Sequence, residues 1–243
     1  MNNLMIELSD IYLTLMGGSG EVNILRGVNL QVEQGETLAV VGPSGSGKTT
    51  TLMIMAGLEK PTSGIVRVAG HTLSDMNEDA LARFRRINLG IVFQSFHLVP
   101  TMTALENTAL PLEFGHVHGA RERAMQALAA VGLESRAAHY PAQLSGGEQQ
   151  RVALARAFAG EPRVILADEP TGNLDSETGK RVVDHLFHLQ QKLDTTLVLI
   201  THDKGLAAQC SRQVRMEDGI LLPDAASSGQ DKVTAVLPQQ PAL

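Results

Sequence analysis

Short apolar runs bounded by turns recur along the chain: TLAVV at 37–41, LGIVFQ at 89–94, RVIL at 163–166 and TTLVLITH at 195–202. Such runs predict strands buried on both faces, as in a parallel sheet. Residues 4–15 and 24–33 alternate polar and apolar positions instead, predicting two strands joined by a loop, MGGSGEVN, at 16–23. TSGIVRVAG (62–70) adds a strand between turns. From about 96 to 160 the strand runs stop, and RERAMQALAAVGL (121–133) and the segment from Ser145 carry helical periodicity, with Gly132 placed at a helix end. The alternation predicts an α/β fold. Its core spans about 1–95 and 161–222, with an inserted helical lobe at about 96–160. The tail 223–243 is rich in Ser, Pro and Gln without aromatics, and reads as disordered.

Composition narrows the setting. A net charge of −6 argues against nucleic acid held on a broad basic surface. The single cysteine, Cys210, cannot form an internal disulfide, which predicts a reducing compartment. MNNLMIELSD has no basic leader, and no apolar run nears the ~18 residues of a membrane span. The reading is a cytoplasmic chain of one large domain.

GPSGSGKTT, from Gly42 to Thr50, fits G-x-x-x-x-G-K-[ST] between a strand and a helix-compatible run. Gly42, Pro43, Ser44, Gly45, Ser46, Gly47, Lys48, Thr49 and Thr50 form the candidate nucleotide cradle. Small residues let backbone amides curl around phosphates at a positively polarised helix end. Lys48 would reach the β- and γ-phosphates, and the Thr49 hydroxyl would ligate Mg²⁺. The loop alone does not separate ATP from GTP.

RVILADEP (163–170) ends an apolar strand in two carboxylates, where parallel sheets bind ligands. Asp168 is placed to hold Mg²⁺, and Glu169 to polarise water. Their proximity should raise the pKa of one of them. His202 follows another apolar strand and would reach a γ-phosphate from the same sheet edge. Gln94, closing IVFQ, is a candidate ligand of Mg²⁺ or of the attacking water. Singly, each also fits an ordinary loop residue; their convergence on one edge gives them weight.

LSGGEQQR (144–151) sets two glycines at the start of a helical run. Ser145 with Glu148 makes a capping box, which alone would explain the segment. Gly146 and Gly147 would also expose the first amides of a helix N-terminus, a second anion site. The simplest geometry has that site complete a nucleotide held by another subunit. A bulky residue at Gly147 would then spare ATP binding and abolish dimerisation.

The order GPSGSGKT, FQ, LSGGEQQR, VILADEP, GNLD and THD resembles the nucleotide-binding domain of ABC transporters over residues 1–222. The resemblance implies a RecA-like P-loop NTPase core with a small antiparallel β subdomain and an inserted α-helical lobe. It implies a head-to-tail homodimer sandwiching two ATP molecules with Mg²⁺. Catalytic roles fall to Glu169, His202 and Gln94, signature contacts to Ser145, Gly146, Gly147 and Glu148, and Asp175 of GNLD belongs to the D-loop.

GIVFQSFHLVPTMTALENTALPL (90–112) and DEPTGNLD (168–175) are similar to the LolD, MacB and YbbA-like ATPases of lipoprotein release and macrolide export. That likeness implies a four-helix membrane permease with a periplasmic domain. The ATPase would sit on the cytoplasmic face of the inner membrane, exporting or extracting lipid-like, lipoprotein or other hydrophobic substrates. RFRR (83–86) and Phe96–Pro100 border the expected docking region, though RFRR equally fits a solvated helical face. The alternative class is a soluble ABC-type ATPase acting on DNA or ribosomes. Such proteins carry long coiled-coil insertions or paired cassettes, which this chain lacks. One departure stands out: the family's adenine-stacking aromatic falls at Leu15, and Tyr12 is three residues away, on the opposite strand face. Weaker, less base-selective nucleotide binding is expected.

Overall fold

The computed structural model describes residues 3–17 and 20–223; the tail after Pro223, expected to be disordered, lies outside the described residues. β1 (Leu4–Gly17) and β2 (Gly20–Glu33) form a long antiparallel hairpin in which Gly17 pairs with Gly20. Most of the loop expected over 16–23 is therefore strand. Met16 and Val22 are exposed there, so no alternation marks it as such.

The chain continues through β3 (Thr37–Val41), α1 (Lys48–Met55), β4 (Ser63–Val68), β5 (His71–Thr72), α2 (Glu78–Asn88) and β6 (Leu89–Val92). Three helices follow: α3 (Ala104–Phe114), α4 (Ala120–Ala130) and α5 (Gly146–Phe158). The helix expected over 121–133 is α4, and Gly132 lies just beyond its cap at φ +71°. β7 (Val164–Asp168), α6 (Ser176–Leu193), β8 (Thr196–Ile200), α7 (Lys204–Ala207), β9 (Arg212–Glu217) and β10 (Ile220–Pro223) complete the order.

β2-β1-β4-β5 make an antiparallel sheet, and β10-β9-β3-β8-β7-β6 a larger one. In the larger sheet β9, β3, β8, β7 and β6 run parallel, with β10 antiparallel at the edge. Its central strands divide their side chains between two cores, as the period of two requires. Ala39, Ile165, Ala167, Leu197 and Leu199 pack with α3, α4, α5 and α6. Leu38, Val40, Val164, Leu166, Val198 and Ile200 pack with the hairpin sheet and α1. Both faces are covered, so the open route to the sheet is the edge formed by the strand ends and the loops beyond them.

The apolar pattern does not single out α6, β9 or β10. The last two are joined by Asp218–Gly219, both at positive φ (48° and 78°), a pairing suited to a tight hairpin. Two arginines of the RFRR run serve junctions within the chain: Arg85 donates to Gly57 O and Arg86 to Phe114 O.

Candidate active site

The loop after β3 turns back on itself through glycines in left-handed backbone: Gly42, Gly45 and Gly47 have φ of 154°, 79° and 103°. At Gly42 a Cβ would also overlap the Met216 carbonyl oxygen. Only glycine meets both demands. The Asp218–Gly219 turn braces the loop from behind, because Gly219 N–H donates to Ser46 O (3.0 Å) and Arg26 N–H donates to Gly219 O (2.9 Å). This brace was not anticipated from the sequence, although an Asp-Gly pair between two strands signals the hairpin.

α1 begins at Lys48 with Gly47 as cap and no side-chain oxygen on its first amides. Those amides point, with the helix dipole, into a cleft of about 550 Å³. Gly42, Ser44, Gly45, Gly47, Lys48, Thr49, Thr50, Gln94, Asp168, Glu169 and His202 line it, with Ile24 and Ile200. Pro43 and Ser46 are absent from this lining. Pro43 lends its carbonyl to Lys48 (2.8 Å), as Gly42 does (2.9 Å), so the ammonium rests on its own loop. Ser46 is buried, its hydroxyl without a partner among the described residues.

Asp168 ends β7, and Thr49 Oγ1 donates to its Oδ2 at 2.9 Å. Burial pushes its carboxyl above the ordinary range; the Thr49 hydrogen bond opposes this, the neighbouring Glu169 charge adds to it, and Lys48 opposes it. The raised member of the pair is thus Asp168, and desolvation is the larger cause. A hydroxyl, a carboxylate and the Gln94 amide are hard oxygen donors, the set that Mg²⁺ prefers.

Glu169 adopts left-handed backbone, φ +46°, with its N–H donating to Ile200 O (2.9 Å). Its carboxylate accepts from His202 Nδ1, 2.9 Å from both oxygens. A non-glycine residue held there costs about 1 kcal/mol or more, and such strain gathers at functional positions. Gln94 donates from Nε2 to Asn173 Oδ1 (3.2 Å), and Asn173 donates back to Gln94 O (3.0 Å). Asn173 escaped the sequence reading; an Asn in a loop carries no periodic signal.

The remaining candidates lie elsewhere. Ser145 caps α5: its Oγ accepts from Glu148 N–H (3.3 Å), while Glu148 accepts from Ser145 N–H (2.8 Å) and Oγ (2.9 Å). Arg136 adds an ion pair at 3.2 Å. Gly147 is buried against α6, where a Cβ would overlap Thr178 Cγ2. Its glycine therefore has a cause inside one chain, which corrects the expectation that a bulky residue there disturbs dimerisation alone. Gly146 has only ordinary neighbours, Leu174 Cδ2 at 3.4 Å and Phe96 at 3.9 Å. Asp175 caps α6, accepting from Thr178 N–H at 3.0 Å. Ser145, Gly146, Gly147, Glu148 and Asp175 are all outside the cleft lining.

Leu15 and Tyr12 are outside it too. Tyr12 and Leu15 are both exposed, with Leu13 buried between them, and the ladder shifts by one residue after Leu13, where Ile24 of β2 is skipped. The Tyr12 hydroxyl lies 2.9 Å from where a Cβ on Gly27 would stand, so its ring rests on β2.

The model of the ABC transporter family matches residues 25–172, more than half of the chain. The chain belongs to the ABC transporter family. This ABC transporter ATPase is 50% identical over 222 residues to the ABC transporter ATP-binding protein YbbA of Escherichia coli K12, covering 90% of this chain and 97% of that one. It is 43% identical to the lipoprotein-releasing system ATP-binding protein LolD of Legionella pneumophila strain Paris, covering 91% and 98%. A solved structure of the ATP-binding cassette MJ0796, dimeric, post-hydrolysis and bound to ADP and Pi, superposes with a TM-score of 0.83 at 41% identity, covering 89% and 96%. The fold is that of an ABC ATPase, and the activity is the binding and hydrolysis of ATP. Among the described residues no helix is long and apolar enough to cross a membrane.

Proposed function

We propose that this ATPase works as a head-to-tail homodimer with two ATP molecules at the interface, each held by the phosphate loop of one chain and the Ser145–Glu148 turn of the other. The carrying observation is the separation of the two motifs: one cleft gathers Lys48, Thr49, Gln94, Asp168, Glu169 and His202, and the capped N-terminus of α5 is not part of it. The dimeric state of the MJ0796 cassette supports the reading. In organisation, a core of about 1–95 and 161–222 carries the first half-site and a helical lobe of about 96–160 the second.

ATP phosphates lie on the amides from Gly42 to Thr49, and Lys48 leaves the Gly42 and Pro43 carbonyls for the β- and γ-phosphates. Thr49, Asp168 and Gln94 would hold magnesium, which would supply neutralising charge to the phosphate oxygens. Glu169 accepts a proton from water as the water oxygen attacks the γ-phosphorus and the bond to the bridging oxygen breaks. His202, oriented through its Nδ1 bond to Glu169, faces the γ-phosphate with its other nitrogen and donates to it when both ring nitrogens carry hydrogen. Asp175 fixes the start of α6 beside the interface.

The ATPase acts from the cytoplasmic face of the inner membrane on a permease of four helices with a periplasmic domain. Closure and reopening of the dimer drive that permease. The LolD relatives are named for lipoprotein release, which supports a lipid-linked or otherwise hydrophobic substrate. Glu169→Gln tests the mechanism. The variant should bind ATP within about threefold of wild type, hydrolyse it at least about 100-fold more slowly, and accumulate as a dimer in light scattering. Hydrolysis at the wild-type rate would remove Glu169 from the role of base.

A further inference from the structure

The stretch from Phe93 to Thr103 has no regular structure, yet side chains of the helical lobe pin it at three levels. Gln150, fully buried on α5, donates from Nε2 to Pro170 O (2.7 Å) and Phe93 O (3.4 Å). Asn107, fully buried on α3, accepts from Val99 N–H (2.7 Å) and donates to the carbonyls of Val99, Met102 and Thr103. Between them, Arg156 in the last turn of α5 donates from Nη2 to Phe96 O (2.8 Å) and from Nη1 to His97 O (2.7 Å).

The middle grip is unusual in two respects. Phe96 and His97 both sit in left-handed backbone, φ 54° and 49°, and neither is glycine. His97 N–H donates back to Ser95 O, so the chain folds sharply about Phe96 instead of running extended. Two left-handed residues in a row thus present a pair of oxygens that one planar guanidinium can take together. Burial weighs against the Arg156 charge, and the ion pairs found among the described residues do not include it. Its hydrogen bonds go to this loop.

We propose that Arg156 is a positioning residue for ATP hydrolysis: its fork holds Phe96 and His97 in their left-handed form and thereby sets Gln94, two residues upstream, in the nucleotide cleft. Because α5 also begins with Ser145–Glu148, the same helix that faces a second chain's nucleotide determines where Gln94 stands at its own. The proposal rests on the reading above that Gln94 acts at the nucleotide.

A double-mutant cycle tests it, with steady-state hydrolysis measured for wild type, Arg156→Met, Gln94→Ala and the double variant. Each single substitution should lower kcat about tenfold or more with KM for ATP within about threefold, and the double should fall no lower than the weaker single. A purely structural arginine would instead lower kcat by the same factor with and without Gln94; that result overturns the proposal and leaves the role of Gln94 standing. Wild-type kcat in Gln94→Ala would overturn the reading of Gln94 itself, and the proposal with it. If Arg156→Met does not fold, Arg156→Lys, which keeps the charge without the fork, carries the same cycle.

Discussion

Two glycine-bearing segments of this ATPase, Gly42–Gly47 and Gly146–Gly147, each open a helix, and they need glycine for different reasons. In the first, the backbone itself is left-handed at Gly42, Gly45 and Gly47, and α1 begins with no side chain on its leading amides. In the second, α5 begins with ordinary backbone and a complete capping box, and Gly147 is small because Thr178 of α6 occupies the space beside it. One motif makes room for a ligand; the other first makes room for a neighbouring helix. In the proposed dimer, only the leading amides of α5 that the Ser145–Glu148 box does not take would be left for a second chain's nucleotide. A shared residue type is therefore weak evidence of a shared role.

Substitutions sharpen the contrast. Gly42→Ala should have the largest effect, because the added Cβ meets both positive φ and the Met216 carbonyl, which belongs to a paired strand. A loss of about 3 kcal/mol in thermal unfolding is expected, with ATP binding falling below detection in titration. Gly147→Ala should destabilise the nucleotide-free monomer by about 1–3 kcal/mol through overpacking. Adding Thr178→Ala should restore most of that, since the nearest remaining Thr178 atom, Cβ, lies at an ordinary 3.6 Å. If Gly147→Ala leaves the monomer's melting unchanged, the packing explanation is wrong.

The smallest effect concerns the cap. The hydrogen bond from the Ser145 backbone lowers the Glu148 pKa from its ordinary 4.5, so the ionised form is favoured in the fold. Its contribution is present above the unfolded value and is lost as pH falls through the lowered folded value. Glu148→Gln should therefore cost about 0.5 kcal/mol at pH 7, and the gap to wild type should close as pH drops below 4.5. A constant gap in denaturant titrations from pH 7 to pH 3 would show that charge plays no part.

Legibility differed by region for physical reasons. β3, β7 and β8 were readable because strands buried on both faces must be apolar throughout, and the phosphate loop because its glycines and Lys48 stand at fixed spacing between strand and helix. The hairpin end near Met16 and Val22 was not, since a ribbon that covers no core leaves no alternation. Asn173, Gln150 and Arg156 act through carbonyls of residues distant in sequence, and no local pattern announces such partners.

The chain's own order of residues was enough to specify the sheet's apolar strands, the phosphate loop, the acidic strand end and the helix cap at Ser145, because each depends on neighbours within a few positions. Packing alone decided that Gly147 answers to Thr178, that Gly42 answers to Met216, and that Asp168 is raised mainly by burial. Those properties belong to distances between segments far apart in the chain, and such distances exist only once the two cores have closed around the sheet.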